Sequence, residues 1–152
     1  MVKFFNVRID ILLGIGAVGS FIAQLYGGWT MGMTALVITM VVDYITGLIV
    51  AGVFHNSEKT EDGRLESRAG WKGLVRKCVT LLLILVAVQV DIVLKAGNFT
   101  RDAMVICFFA NECVSVVENA GLMGIPLPRA FMEAIEVLKN KGNVSFNKPE
   151  EE

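Results

Sequence analysis

The chain has 152 residues, 54% of them hydrophobic and 19% charged, with a formal net charge of -1. An ordinary soluble domain carries about 25% charged residues, and a near-neutral balance gives no support to nucleic-acid binding. The charges lie mainly between Glu58 and Lys77 and after Arg129, leaving long apolar runs between them, the pattern of a small polytopic membrane protein.

Met1 to Arg8 is a short, mildly basic start. The first apolar run follows, in a helix expected over about 9–28. It contains Asp10 and has no small-residue cleavage site, so a cleavable signal peptide is not expected. Gly16 with Ser20, and Gly19 with Ala23, are small residues spaced four apart, which lets helix backbones approach closely in lipid. Gly27-Gly28-Trp29-Thr30 breaks this helix and places an indole at the expected interface. A second helix is expected over 31–54, roughly 36 Å long. One acid interrupts it, in Asp43-Tyr44-Ile45-Thr46-Gly47. A carboxylate about 18 Å from the helix start is near the bilayer centre, where an ionisable side chain is a functional candidate by default. The plainer reading is that Asp43 joins two helices by hydrogen bonds.

Residues 55–72 form the longest polar stretch, with Asp62-Gly63 as a turn signal and His55 as a solvated loop residue. Arg68, Lys72 and Arg76, four apart, would form a basic ridge on a helix, and Lys77 adds to the cluster. Such a ridge suits anionic lipid headgroups, and ordinary positive-inside flanking accounts for it equally. The third helix is expected over 73–95, ending in Asp91 and Lys95 as an i,i+4 pair. Ala96 to Arg101 reads as a short loop before a fourth helix over 102–123.

That fourth helix is unusual. Asn111, Ser115, Glu118 and Asn119 share one face and Glu112 borders it, while Phe108, Phe109, Val114, Val116 and Val117 occupy much of the rest. An ionised side chain at the bilayer centre costs at least ~2.5–3.5 kcal/mol, so this stripe must face protein or water. Glu112 lies about 15 Å along the helix, level with Asp43 on an antiparallel neighbour. The two are expected to form one polar level, with at least one carboxylate protonated before opening. Glu118, about 24 Å along, is expected to pair with Arg76 and Lys77 near the inner surface. After Gly124-Ile125-Pro126-Leu127-Pro128, residues 129–141 are amphipathic and precede an acidic tail.

The expected fold is therefore all-α and polytopic, with four transmembrane helices, three being the alternative, and a short C-terminal amphipathic helix. Residues 1–128 form the transmembrane domain, and residues 129–152 a cytoplasmic helix and tail. With four crossings and both termini inside, twelve of the fourteen basic residues fall on the inner side. Cys78, Cys107 and Cys113 all lie in apolar segments without metal-ligand spacing and read as small membrane-core residues. No catalytic constellation, cofactor site or metal site is read, so an enzyme is not expected.

The motifs Asp43-Tyr44-Ile45-Thr46-Gly47, Ser67 to Lys77, Ala110-Asn111-Glu112 continuing to Ser115 and Glu118-Asn119, and Gly124 to Pro128 occur in order over roughly 27–138. In this the chain resembles the toxin secretion/phage lysis holin family. Cys113 and Val114 depart from its pattern, where Gly and a larger apolar residue are expected. The resemblance implies a non-enzymatic pore-former of a phage or prophage that oligomerises in the bacterial cytoplasmic membrane and releases an endolysin or a toxin. The residues expected to serve pore and assembly are Asp43, Thr46, Gly47, Asn111, Glu112, Ser115, Glu118 and Asn119, with Arg68, Lys72, Arg76 and Lys77 flanking the membrane. A small ion- or proton-conducting channel or transporter, and a structural membrane subunit, are the rival classes.

Overall fold

In the computed structural model, which describes residues 2–57 and 66–143, the chain is helical. Five α-helices occur among the described residues: α1 Val2–Leu25, α2 Met31–Ile49, α3 Ser67–Leu94, α4 Phe99–Leu122 and α5 Arg129–Asn143. A π-helical turn, Val50–Phe54, continues α2. Three segments are long and apolar enough to cross a membrane: Met31–Phe54, Ser67–Leu94 and Phe99–Leu122. The apolar part of α1, Asp10–Leu25, is shorter. The acidic tail and Asp62-Gly63 lie outside the described residues.

The turns explain where the helices stop. Past α1, Gly27 and Gly28 take positive φ (69° and 97°), and the Gly28 N–H returns to the Ala23 carbonyl at 2.9 Å. This is a Schellman closure, which L-residues with a Cβ adopt poorly. Thr30 then caps α2, its hydroxyl accepting from the Met33 N–H. The Trp29 indole donates to Thr34 Oγ1 at 2.8 Å. At the end of the second span, His55 is exposed, adopts a left-handed conformation, and places its Nδ1 3.1 Å from the Ala51 carbonyl.

Asp91 does not pair with Lys95. Its carboxylate accepts from the Thr100 and Arg101 backbone N–H groups, both at 2.9 Å, and so closes the start of α4 from the end of α3. The first-turn N–H groups of a helix lack intrahelical partners, and Asn98 at the cap position offers no side-chain bond. Lys95 takes the left-handed conformation that ends α3. With α4 starting at Phe99, the expected loop to Arg101 is shorter by three residues. Arg101 is 3% exposed, and its Nη1 donates to the carbonyls of Tyr26, Gly27 and Gly28 at 3.0, 2.9 and 3.4 Å. Both short turns are thereby tied together at one end of the bundle.

α4 is the central helix, packing on both α2 and α3, which touch each other far less. The half of the bundle near the short turns is dry: Tyr26, Met33, Leu36, Met40, Ile84 and Val105 form a buried apolar cluster. Most other apolar side chains point outwards, including Ile11, Leu13, Val18 and Phe21 of α1, each more than half exposed. That surface suits lipid, because water would penalise it by ~25 cal/mol per Å². The small residues of α1 do not bring another helix of this chain close: Gly14, Gly16 and Gly19 have nothing within 4 Å of a built Cβ. α5 packs back on α4 and buries Ile135.

One stability test arises at the first turn. A Cβ on Gly27 would stand 3.1 Å from Asn98 Oδ1 and 3.2 Å from Arg101 Nη1, at a φ of +69°. Gly27→Ala should cost about 1–2 kcal/mol of bundle stability. Thermal unfolding in detergent micelles reads this, and an unchanged midpoint would show that the turn can adapt.

Candidate functional site: a charged node between three helices

The node begins with sequence periodicity. Asp43 and Thr46 are three apart on α2, and Glu112 and Asn119 seven apart on α4, so each pair shares a helix face. Antiparallel packing of α2 on α4 brings these faces together. Lys77 comes from α3, ten residues past its start at Ser67, or about 15 Å along the helix.

The Lys77 ammonium bridges two helices. It donates to Asp43 Oδ2 at 2.8 Å and to Glu112 Oε2 in a short contact. The side chains of Lys77, Asp43 and Glu112 are only 13, 10 and 15% exposed, so all three charges are largely shielded from solvent. Asn119 completes the arrangement. Its Nδ2 donates to Asp43 Oδ1 and Thr46 Oγ1, each at 3.0 Å, while the Thr46 hydroxyl donates to the Asp43 carbonyl at 3.0 Å. Both oxygens of Asp43 are thus occupied, one by a cation and one by an amide. Gly47 lies one turn on from Asp43, where a built Cβ would meet Asn119 Nδ2 at 3.8 Å.

A cavity of about 830 Å³ adjoins the node in the half of the bundle away from the short turns. Its walls carry Lys72 and Arg76 of α3, Ser115 and Glu118 of α4, and Ser57 and Glu66 near the helix ends, with Asp43, Lys77 and Glu112 at its inner limit. One half of the bundle is therefore apolar and closed, and the other holds a half-open cleft lined by charged and apolar side chains together. A bond from Asn56 Nδ2 to the Leu122 carbonyl, at 3.4 Å, ties α2 to α4 at that end.

This geometry redistributes the expected residues. Asp43, Thr46, Glu112 and Asn119 come together as one polar level, but the ammonium of Lys77 stands between the two carboxylates, a partner that the expected level did not include. Lys77 therefore does not pair with Glu118, and Glu118 is exposed with no ion pair to Arg76 among the described residues. The physical reason is the start of α3: six more residues of helix before Gly73 move Lys77 from the surface to the depth of Asp43. Ser115 faces the cavity, whereas Asn111 is exposed and points away from it. Lys72 and Arg76 line the cavity and Arg68 lies outside it, exposed. The Asp91–Arg101 closure was not anticipated either; the available signal was an acid and a base ten residues apart across a short break between two apolar runs.

The node offers ionic and hydrogen-bonding groups at mid-depth, and no set of three His, Cys, Asp or Glu side chains able to hold a metal occurs among the described residues. Such an arrangement can hold three helices together, and it can separate into groups that hydrate when water enters.

Comparison with known proteins places these features. The chain is 35% identical over 134 residues to an uncharacterised protein of Listeria innocua, covering 88% of this chain and 85% of the relative. It is 35% identical over 123 residues to an uncharacterised protein of Halalkalibacterium halodurans, covering 78% of this chain and 85% of that one. A protein of Bacillus phage phi105 named as a probable holin is 27% identical over 116 residues, 76% of this chain and 80% of its own length. No solved structure matches. The model of the bacteriophage holin family matches residues 20–140, which takes in all three membrane-length helices and the whole charged node, and the chain belongs to that family.

Proposed function

We propose that copies of this holin accumulate in the bacterial cytoplasmic membrane, oligomerise, and open lesions that let an endolysin or a toxin leave the cell, without catalysing a reaction. The observation that carries this reading is the Asp43–Lys77–Glu112 node, set at mid-depth in three membrane-length helices beside this cavity. A merely structural bundle gains little from such a node, since buried ion pairs roughly offset their own desolvation. A two-state element gains a great deal. In the closed form the charges satisfy one another; in the open form they line a water-filled space.

The basic residues support an orientation with both termini and the cavity on the cytoplasmic side, because that arrangement leaves only Lys95 and Arg101 outside. In it α1 serves as a fourth crossing, α5 lies at the inner surface, and Arg68 and Lys72 meet anionic headgroups. The defining experiment is controlled expression in a bacterium, with membrane potential and release of cytoplasmic enzymes followed in time. Abrupt depolarisation and enzyme release are expected; selective ion flux without enzyme release would favour a channel, and neither would favour a scaffold.

The node makes a further prediction about timing. It holds one cation between two carboxylates, leaving a formal charge of -1 in a shielded place. Glu112→Gln removes that excess while keeping an oxygen for Lys77 to donate to. The closed form should be favoured, and lysis at equal expression should begin later. Onset at the normal time would show that the charge of Glu112 plays no part in opening.

A further inference from the structure

Within the three spans, polar side chains near mid-depth either bond inside the chain or, like Tyr44 and Ser115, line the cavity. Asp43, Lys77, Glu112 and Asn119 meet in the node, and Thr39 and Thr80 bond back to the carbonyls of Ala35 and Arg76 at 2.8 and 3.1 Å. Asn111 is different. It stands near the middle of α4, about 18 Å from Phe99. Its side chain is exposed, lies outside the cavity, and makes no hydrogen bond among the described residues. At that depth lipid offers an amide neither donor nor acceptor, so the partner must come from protein.

The rest of the chain's outer surface does not supply one. The exposed side chains of α2 and α3 at comparable depth are apolar, among them Ile38, Val41, Leu82 and Val86. The α1 run from Ile11 to Gly19 contains no side chain able to form a hydrogen bond. A second copy supplies what is missing. A carboxamide carries both a donor and an acceptor, so two of them related by a two-fold axis along the membrane normal satisfy each other reciprocally. Seven residues on, Glu118 is also exposed, at the edge where this face of α4 meets the cavity, with Val114 half-buried between them.

We infer that the α4 face bearing Asn111 is a contact between two copies of the chain, closed by hydrogen bonds between their Asn111 carboxamides. The inference rests on the holin reading above for its need of an oligomer, and it names the surface on which the oligomer begins.

The test uses the full chain with Cys78, Cys107 and Cys113 replaced by alanine, in bacterial membranes, carrying a single new cysteine. Oxidation with copper phenanthroline should give covalent dimers from Glu118→Cys, which leaves Asn111 in place, and few from Leu82→Cys, which is exposed on α3 at a depth similar to that of Asn111. Adding Asn111→Leu to the Glu118→Cys chain should lower the dimer-to-monomer ratio by about tenfold, whereas Asn111→Gln should keep it. Equal crosslinking at Leu82 and Glu118, or an unchanged ratio with Asn111→Leu, overturns the contact. Normal lysis without any dimer through position 118 overturns it and leaves the holin reading standing. Dimers through position 118 in a chain that never lyses cells uphold the contact and count against that reading.

Discussion

Lys77→Met is expected to abolish lysis and to prevent the bundle from accumulating in a folded form. The substitution keeps the length of the side chain and removes its charge, so Asp43 and Glu112 are left facing each other without a cation. Breaking a buried charge pair by removing one partner costs about 3–5 kcal/mol, a large part of the stability of a small bundle. The loss should be repairable from the other side. Lys77→Met combined with Asp43→Asn and Glu112→Gln leaves no net charge in the node, and should restore folding while leaving the opening step altered. Protease resistance in membranes, read beside lysis timing, separates the two effects. If Lys77→Met alone lysed cells normally, the node would have no part in either.

Arg101→Gln should have the second largest effect, at the opposite end of the bundle. The guanidinium is buried, donates to three carbonyls of the α1–α2 turn, and meets Asp102 Oδ1 at 2.9 Å through both Nε and Nη2. A shorter amide cannot reach that set, and each buried acceptor left without a donor costs about 1–3 kcal/mol. A total loss of about 3 kcal/mol is expected, with the short turns loosened before the core melts. Hydrogen exchange should show this as faster exchange at Gly27 and Gly28, with the amides around the charged node still protected. Uniform loosening across both ends would show that the closure is not a local unit. Asp91→Asn should act in the same direction but less strongly, since an amide retains one oxygen to accept from the Thr100 and Arg101 N–H groups.

Much of the architecture was legible in the residues because it depends on local chemistry. Lipid-length apolar runs, the Gly27-Gly28 break and the polar stripe of α4 each express a property of consecutive residues. Lipid also sharpens the reading, since it leaves few places where Asp43 or Glu112 can go. The common depth of those two acids followed from counting residues along antiparallel helices, and the structure brings them onto one ammonium. The partner could not be counted in the same way. Whether Lys77 is a surface residue or a mid-depth one depends on where α3 begins, and helix starts in mixed polar sequence are poorly marked. A shift of six residues moves a side chain by about 9 Å, which takes Lys77 from about 6 Å past the helix start to about 15 Å.

The sequence by itself determined that this is a helical membrane protein of the holin kind, with acids and amides placed where lipid cannot satisfy them. Only the tertiary structure decided which of them meet. A helix face is periodic, but its neighbours are set by packing angle and register, and these turn Glu112 and Asn119 inwards and leave Asn111, on the same stripe, facing outwards. The same packing left Asp91 out of reach of any gain from Lys95 and directed it across the turn to the open end of α4, because bare backbone N–H groups are the costlier ones to leave unpaired.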